Sequence, residues 1–264
     1  MLQVIAHGPV SELRMATRLF GRGVYWVSAF HFEGLLIDAG PPRTARELAT
    51  WIRQRPLEAA VNTDHHEDHV GGDSALPIIP CAPAASLERM AHPERIQLFR
   101  RLVWGQARPI RARPLDSTIE TGDLRLHVIP TPGHSDDHVV FLAPDRGWVF
   151  SGDLFIHERI RYAQADEDVL QSLTSMRRLL GYDFDELYCG HAGRVHPGKE
   201  ALRRKIQFLE DVQGRALELW RQGLEELAIV RRIFGELGRW HWITGGWFSE
   251  LNLIRQLMKG EDAT

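Results

Sequence analysis

Residues 63–72 read Thr63-Asp64-His65-His66-Glu67-Asp68-His69-Val70-Gly71-Gly72. They end a short apolar run, residues 59–63 (AAVNT), whose composition reads as a buried strand. The imidazoles and carboxylates therefore stand on a strand-end loop that the core supports. Both group types are common ligands of zinc and of harder divalent ions. Donors at positions 64, 66, 68 and 69 can diverge toward two points in space. Gly71 and Gly72 permit close backbone approach and a tight entry into the next helix. Taken alone, the stretch also reads as a polar surface loop.

Three later stretches weigh against that second reading. Thr131-Pro132-Gly133-His134 follows an apolar run ending at Ile129. Ser151-Gly152-Asp153 follows residues 148–150, and Gly190-His191 follows residues 186–189. Each sets one His or Asp just past an expected strand, beside small or rigid residues.

With these residues the chain resembles the metallo-β-lactamase-fold hydrolase superfamily. Its hallmark, His-x-His-x-Asp-His, is followed by a separate His, Asp and His. Ile37-Asp38-Ala39-Gly40 resembles the superfamily's early strand-end Asp, which braces the metal loop. The stretch TDHHEDHVGG looks most like the glyoxalase II (hydroxyacylglutathione hydrolase) form of the motif, Thr-His-His-His-x-Asp-His. The resemblance covers about residues 24–193 and is specific for fold rather than substrate.

It implies an α/β protein, a four-layer αββα sandwich with a C-terminal helical extension. It also implies two divalent ions, zinc first, with Mn²⁺ or Fe²⁺ as alternatives. Residue by residue, Asp64, His66 and His134 would hold the first ion. Asp68, His69 and His191 would hold the second, and Asp153 would bridge. Asp38 would stand behind the ligands. His138 is either a brace for His134 or the start of a buried strand. Water activated by the metals would attack, with Asp68 or Asp153 accepting or relaying the proton.

The chain departs from the hallmark at Asp64, where the first His is expected. Either Asp64 binds through a carboxylate oxygen, or one ion alone is held tightly. Recruiting His65 instead needs a register shift, because successive loop residues rarely point the same way. Three carboxylates against two divalent ions leave about one net positive charge, where a His at position 64 would leave about two. The lower charge favours harder, oxygen-preferring ions.

Outward from the motif, residues 24–30 (VYWVSAF) and 35–38 (LLID) flank Glu33-Gly34 and read as a hairpin. Helical spacing marks residues 44–54, 93–104 and 168–180. Short strands are expected at 78–80, 119–120, 124–129, 138–142, 148–151 and 186–189. The Arg-rich stretch 84–108 reads as a helical insertion or lid, with similar halves on either side. From Gly198 the composition shifts to helices at 199–221, 225–234 and 248–258. The expected division is a catalytic domain over 1–197 and a helical extension over 198–264.

The 264 residues fit about two domains, or one large one with an appendage. Net charge is −3, from 32 basic and 35 acidic residues, which argues against a broad basic surface for nucleic acid. Two cysteines, Cys81 and Cys189, make no disulfide framework. With no secretory leader or long apolar run read, a cytoplasmic protein without membrane contact is expected. Oligomerisation stays open.

No GxSxG occurs, and Cys189 reads as a small strand residue. His157, Arg100, Arg101, Arg159 and Arg161 read as surface groups more readily than as substrate ligands. Trp240, Trp242 and Trp247 read as helix-packing residues. Met90, Phe99, Leu102 and Trp104 either cap the cleft or pack helices. The leading expectation is a metal-dependent hydrolase of a small ester, thioester or lactone. Phosphodiester or RNA cleavage, β-lactam hydrolysis and a non-catalytic metal-binding or redox role are the alternatives. The substrate-binding residues are not legible.

Overall fold

The computed structural model describes residues 1–19 and 21–260. The chain opens with β1 (Leu2–His7), β2 (Val10–Leu19), β3 (Arg22–Phe32) and β4 (Leu35–Ile37) as an antiparallel meander. Glu33 and Gly34 join β3 to β4 with φ of 46° and 79°, the positive angles that a two-residue hairpin demands. Helix α1 (Ala45–Ile52) then carries the chain to β5 (Ala59–Val61), parallel to β4. Helix α2 (Glu67–Val70), β6 (Cys81–Ala82), α3 (Leu87–Ala91), α4 (Leu98–Val103) and β7 (Arg113–Pro114) complete this seven-stranded sheet and its connections.

A second sheet contains β8 (Thr118–Thr121), β9 (Leu124–Pro130), β10 (Val139–Ala143) and β11 (Trp148–Gly152). A small strand, β12 (Ala163–Gln164), leaves it, and α5 (Val169–Leu179) crosses over to β13 (Glu186–Cys189) and β14 (Gly193–Val195). The remaining elements are α6 (Gly198–Arg221), α7 (Glu226–Phe234), α8 (Arg239–Ile243), β15 (Phe248–Ser249) and α9 (Glu250–Leu257). Asp168 caps α5 by accepting from the Gln171 amide at 2.9 Å.

Three apolar seams define the layers. Leu13, Met15, Ala29 and Leu36 pack against Leu48 and Ile52 of α1. Phe30, Phe32, Ile37 and Val61 of the first sheet meet Leu126, Phe141, Phe150 and Tyr188 of the second. Val140, Val149 and Leu187 meet Leu173 of α5, Leu202 and Leu209 of α6, and Ile254 of α9. The order is helix, sheet, sheet, helix: the αββα sandwich. Each large side chain so buried contributes roughly 1.5–3 kcal/mol. The C-terminal helices share the third seam with the second sheet.

Strand polarity gathers the site. β9 and β11 are both antiparallel to β10, and β13 is parallel to β11. β9, β11 and β13 therefore end on one edge. Parallel β4 and β5 bring Asp38 and residues 63–69 there from the other sheet.

Three expectations shift. The strand at 78–80 forms instead at Cys81–Ala82, beyond Pro80, which has no N–H to donate to a ladder. The helix over 93–104 shrinks to α4, because residues 93–97 are irregular behind Pro93. The glycine pair leads only into a single 3₁₀ turn, Asp73–Ala75, because the α-helix, α2, forms inside the motif. The close approach does occur: a Cβ on Gly71 would lie 2.1 Å from the Pro42 ring, and one on Gly72 2.1 Å from the Ala39 carbonyl. Strands β1 and β2 and helix α8 had no counterpart in the sequence reading. No helix among the described residues is long and apolar enough to cross a membrane.

Candidate metal centre

Two groups of donors converge at the strand ends. Asp64, His66 and His134 form one, and Asp68, Asp153 and His191 the other. In the first, His66 Nδ1 lies 3.0 Å from Asp64 Oδ2 and 3.2 Å from His134 Nε2, and Asp64 Oδ2 is 3.8 Å from His134 Nε2. Tetrahedral ligands about 2.0–2.1 Å from a zinc ion stand roughly 3.3 Å apart, which matches this spacing. In the second, His191 Nε2 lies 3.0 Å from Asp153 Oδ2 and 3.6 Å from Asp68 Oδ2. His69 Nε2 stands 3.4 Å from Asp153 Oδ1, and Asp153 Oδ2 lies 3.6 Å from His134 Nε2. Asp153 thus touches ligand candidates of both groups.

Neighbouring hydrogen bonds fix which nitrogen each ring presents. His69 Nδ1–H donates to Asp38 Oδ2 at 2.9 Å, so its Nε2 lone pair faces Asp153. His191 Nδ1–H donates to the Trp26 carbonyl at 3.0 Å, leaving Nε2 toward Asp153 and Asp68. His69 Nε2 and Asp153 Oδ1 are buried without a hydrogen-bond partner. Two such acceptors facing each other in a dry site fit a cation between them.

Asp38 is held in turn. It sits at φ 59°, sparsely populated for a residue with a side chain, and takes the Thr63 amide at 2.8 Å and the Thr63 hydroxyl at 3.0 Å. Asp38→Asn keeps the shape but puts an amide where a carboxylate accepts. Metal affinity is expected to fall about 10–100-fold, the usual cost of a lost outer partner, with little change in fold. Titration with zinc against a competing chelator measures it.

His138 braces Asp153. Its Nε2 accepts the Asp153 amide at 3.2 Å, and its Nδ1–H donates to the Thr131 hydroxyl at 2.8 Å. Gly152, at φ 46°, makes room: a Cβ there would lie 2.7 Å from both His138 Nε2 and Thr63 Oγ1. From helix α6, buried Lys205 donates to the carbonyls of Leu154 and Phe155 at 2.9 and 2.6 Å. It secures the turn after Asp153, a role invisible in the sequence.

The field is acidic. Burial opposes charge on His66, yet Asp64 beside it carries its pKa up to about 9. Burial also opposes charge on His191, and Asp153 lifts it to about 9. At His134 burial prevails and pushes the ring down to about 3. Burial would raise Asp64 and Asp153, but the surrounding imidazoles hold both well below the usual carboxylate range. Such a cluster of carboxylates and rings attracts cations.

His65 points elsewhere. Its Nδ1 lies 2.8 Å from Asp137 Oδ2, which also accepts the Ser86 hydroxyl at 2.6 Å. The register shift that would make His65 a ligand does not occur.

Arg100 overturns its surface assignment. It is 5% exposed, and its Nε and Nη2 donate to the two oxygens of buried Glu67 at 2.7 and 2.8 Å. Helix α4 is thereby clasped to α2. Arg159 and Arg161 are exposed, as is His157. Trp240 lines the cavity above the metal centre instead of merely packing helices, and Phe99 and Trp104 line it too. Trp247 donates its indole N–H to Gln164 at 3.3 Å. Trp242 and Leu102 are exposed, and Met90 packs with Val70, Ala82 and Ile110.

The profile of the Metallo-beta-lactamase superfamily matches residues 33–191, more than half of the chain. The chain belongs to that superfamily. A hydroxyacylglutathione hydrolase from Legionella pneumophila (strain Corby) is 30% identical over 138 residues, covering 51% of this chain and 48% of that protein. One from Brucella anthropi is 29% identical over 186 residues, 64% of each. A beta-lactamase-like protein 2 homolog of Drosophila melanogaster is 24% identical over 218 residues, 76% of this chain and 70% of that one. The chain spans about half the length of several curated relatives that it matches. Among solved structures, a metallo-beta-lactamase family protein from Thermus thermophilus superposes with a TM-score of 0.71 at 16% identity, covering 97% of this chain and 94% of that one. The superposition shows the same fold. Asp38, the 64–69 motif, His134, Asp153 and His191 all lie within the matched span or at its last residue.

Proposed function

We propose that this metallo-beta-lactamase superfamily chain is a metal-dependent hydrolase of a small ester, thioester or lactone. The observation that carries the reading is the convergence of Asp64, His66, Asp68, His69, His134, Asp153 and His191 on the floor beneath an aromatic-walled cavity of about 230 Å³. Bound divalent ions would supply a lowered water pKa and polarisation of a carbonyl oxygen. The protein's part is to hold those ions and to manage a proton. Asp153 spans the two groups. Asp68, at the open side beside His191, is suited to accept the proton that the attacking water loses. Among the described residues no Ser or Cys lines the cavity, so a covalent acyl-enzyme has no such nucleophile there. Similarity to hydroxyacylglutathione hydrolases supports a thioester among the substrates.

A panel of thioesters, lactones, phosphodiesters and β-lactams, assayed on metal-loaded protein, tests the class. Turnover of a carbonyl ester or thioester that a chelator abolishes is expected. Turnover of phosphodiesters alone would overturn the reading.

Asp64 bears on metal identity. Its carboxylate lowers the positive charge of the centre relative to a histidine and favours harder ions. Protein purified without added metal is expected to carry a mixture, not zinc alone. Asp64→His is expected to raise zinc content, read by elemental analysis. Full zinc occupancy in the parent chain, with rates indifferent to manganese, would contradict this.

A further inference from the structure

We propose that the cavity above the metal centre is a recognition pocket for a neutral, apolar group of the substrate, and that it excludes anionic groups. The proposal rests on the hydrolase reading for its assay but on the cavity walls for its argument. Tyr25, Phe99, Trp104, Tyr162, Trp240 and Phe248 form those walls. They come from β3, from α4 and the residue after it, from the segment before β12, and from the C-terminal region. Their rings brace one another edge-on: Tyr25 with Trp240 at 5.2 Å and with Trp104 at 6.2 Å, and Phe248 with Phe99 and Tyr162, both at 5.8 Å. A box walled by mutually braced rings from separate segments is preformed, so little ordering entropy opposes an apolar guest. At about 30 Å³ per water-sized group, 230 Å³ holds roughly eight such groups.

Charge decides what is refused. Arg100 is the one Lys or Arg side chain on the lining among the described residues, and its Nε–Nη2 edge is committed to Glu67. A carboxylate held among the rings, away from the floor, would lose its water and meet no side-chain cation but Arg100, one edge of which is already taken. Polar parts of the substrate have another course. A groove of about 460 Å³, bordered by Arg89, Arg95, Gln97, Gln106 and Asp136, shares His66, His134 and Arg100 with the aromatic cavity. The two spaces meet at the first donor group, as a substrate with one apolar and one polar end requires.

Acyl thioesters of N-acetylcysteamine, a neutral thiol common to the series, test this on metal-loaded protein. Each buried methylene is expected to raise kcat/KM by up to roughly fourfold, so hexanoyl should exceed acetyl by about tenfold or more. Succinyl should fall at least about tenfold below butanoyl. Phe99→Arg puts an uncommitted cation into the box and should reverse the succinyl–butanoyl order. If that variant does not fold, Trp240→Ala should shift the optimum to longer chains. A readout independent of turnover uses hexanamide and succinamate, with the fluorescence of Trp104 and Trp240 as reporter. Hexanamide should change it saturably, and succinamate should not. Hydrolysis that is flat across the series, or that prefers hydroxylated or carboxylated acyl groups, overturns the pocket while sparing the hydrolase. Absence of any turnover with selective hexanamide binding supports the pocket and removes the hydrolase. Absence of both overturns the pocket.

Discussion

Asp153→Ala is expected to abolish hydrolysis and lower the metal content while leaving the sandwich folded. The Asp153 carboxylate faces candidates of both donor groups with two oxygens. Its Oδ2 faces His191 at 3.0 Å and His134 at 3.6 Å, and its Oδ1 faces His69 at 3.4 Å. Truncation removes the carboxylate that would span two ions and takes from three rings an acidic neighbour that they share. Losing a mere outer partner costs about 10–100-fold in metal affinity or activity, and a spanning ligand should cost more than that. The fold should survive because the backbone around Asp153 is held by other groups. His138 Nε2 accepts its amide, and Lys205 grips the two following carbonyls. Elemental analysis, thermal unfolding and the thioester assay together read the outcome. A variant that keeps the parent's full metal content and a rate close to the parent's would show that Asp153 is no bridge.

The chemistry was more legible than the walls around it. Donors at strand ends leave a local signature: an apolar run, then His or Asp beside Gly or Pro. His134, Asp153 and His191 each show it, and the structure gathers all three with the 64–69 motif. Asp38 came instead from the resemblance to the superfamily's early strand-end Asp. The sandwich followed from the order of short strands and amphipathic helices. What escaped was long-range. Arg100 looks like any cation in an Arg-rich stretch until Glu67, 33 residues away, comes to face it. Lys205 lies on a helix whose pattern announces only an apolar stripe, yet its ammonium is buried against a turn 50 residues earlier. Tyr25, Tyr162 and Phe248 share a cavity through packing that no spacing rule encodes. β1 and β2 were missed because their inward residues, Val10, Leu13, Met15 and Ala16, alternate only in part with polar ones and β1 is half exposed.

Arg100→Met should cost more stability than any of the other substitutions considered above. The parent pair is buried on both sides, with side chains 6% and 3% exposed and two parallel hydrogen bonds. Such a fork is geometrically strong, but its net contribution is not its Coulomb attraction, because both groups gave up water. Removing Arg100 alone leaves the Glu67 carboxylate stranded, and breaking a buried pair in this way costs about 3–5 kcal/mol. At about 2–4 °C per kcal/mol for a chain of this size, the melting temperature should fall on the order of 10 °C. The damage should also reach the site, since Glu67 precedes Asp68 on α2 and Arg100 anchors α4, which supplies Phe99 to the cavity. The double variant Glu67→Met with Arg100→Met separates charge from packing. It removes the stranded carboxylate and fills the space with apolar groups, so it should regain most of the lost stability. Activity should recover less, because methionines pack adaptably and do not hold α4 at a set distance from α2. If the single variant instead loses under about 1 kcal/mol, as exposed ion pairs do, the clasp is solvated in solution and α4 is not anchored through it.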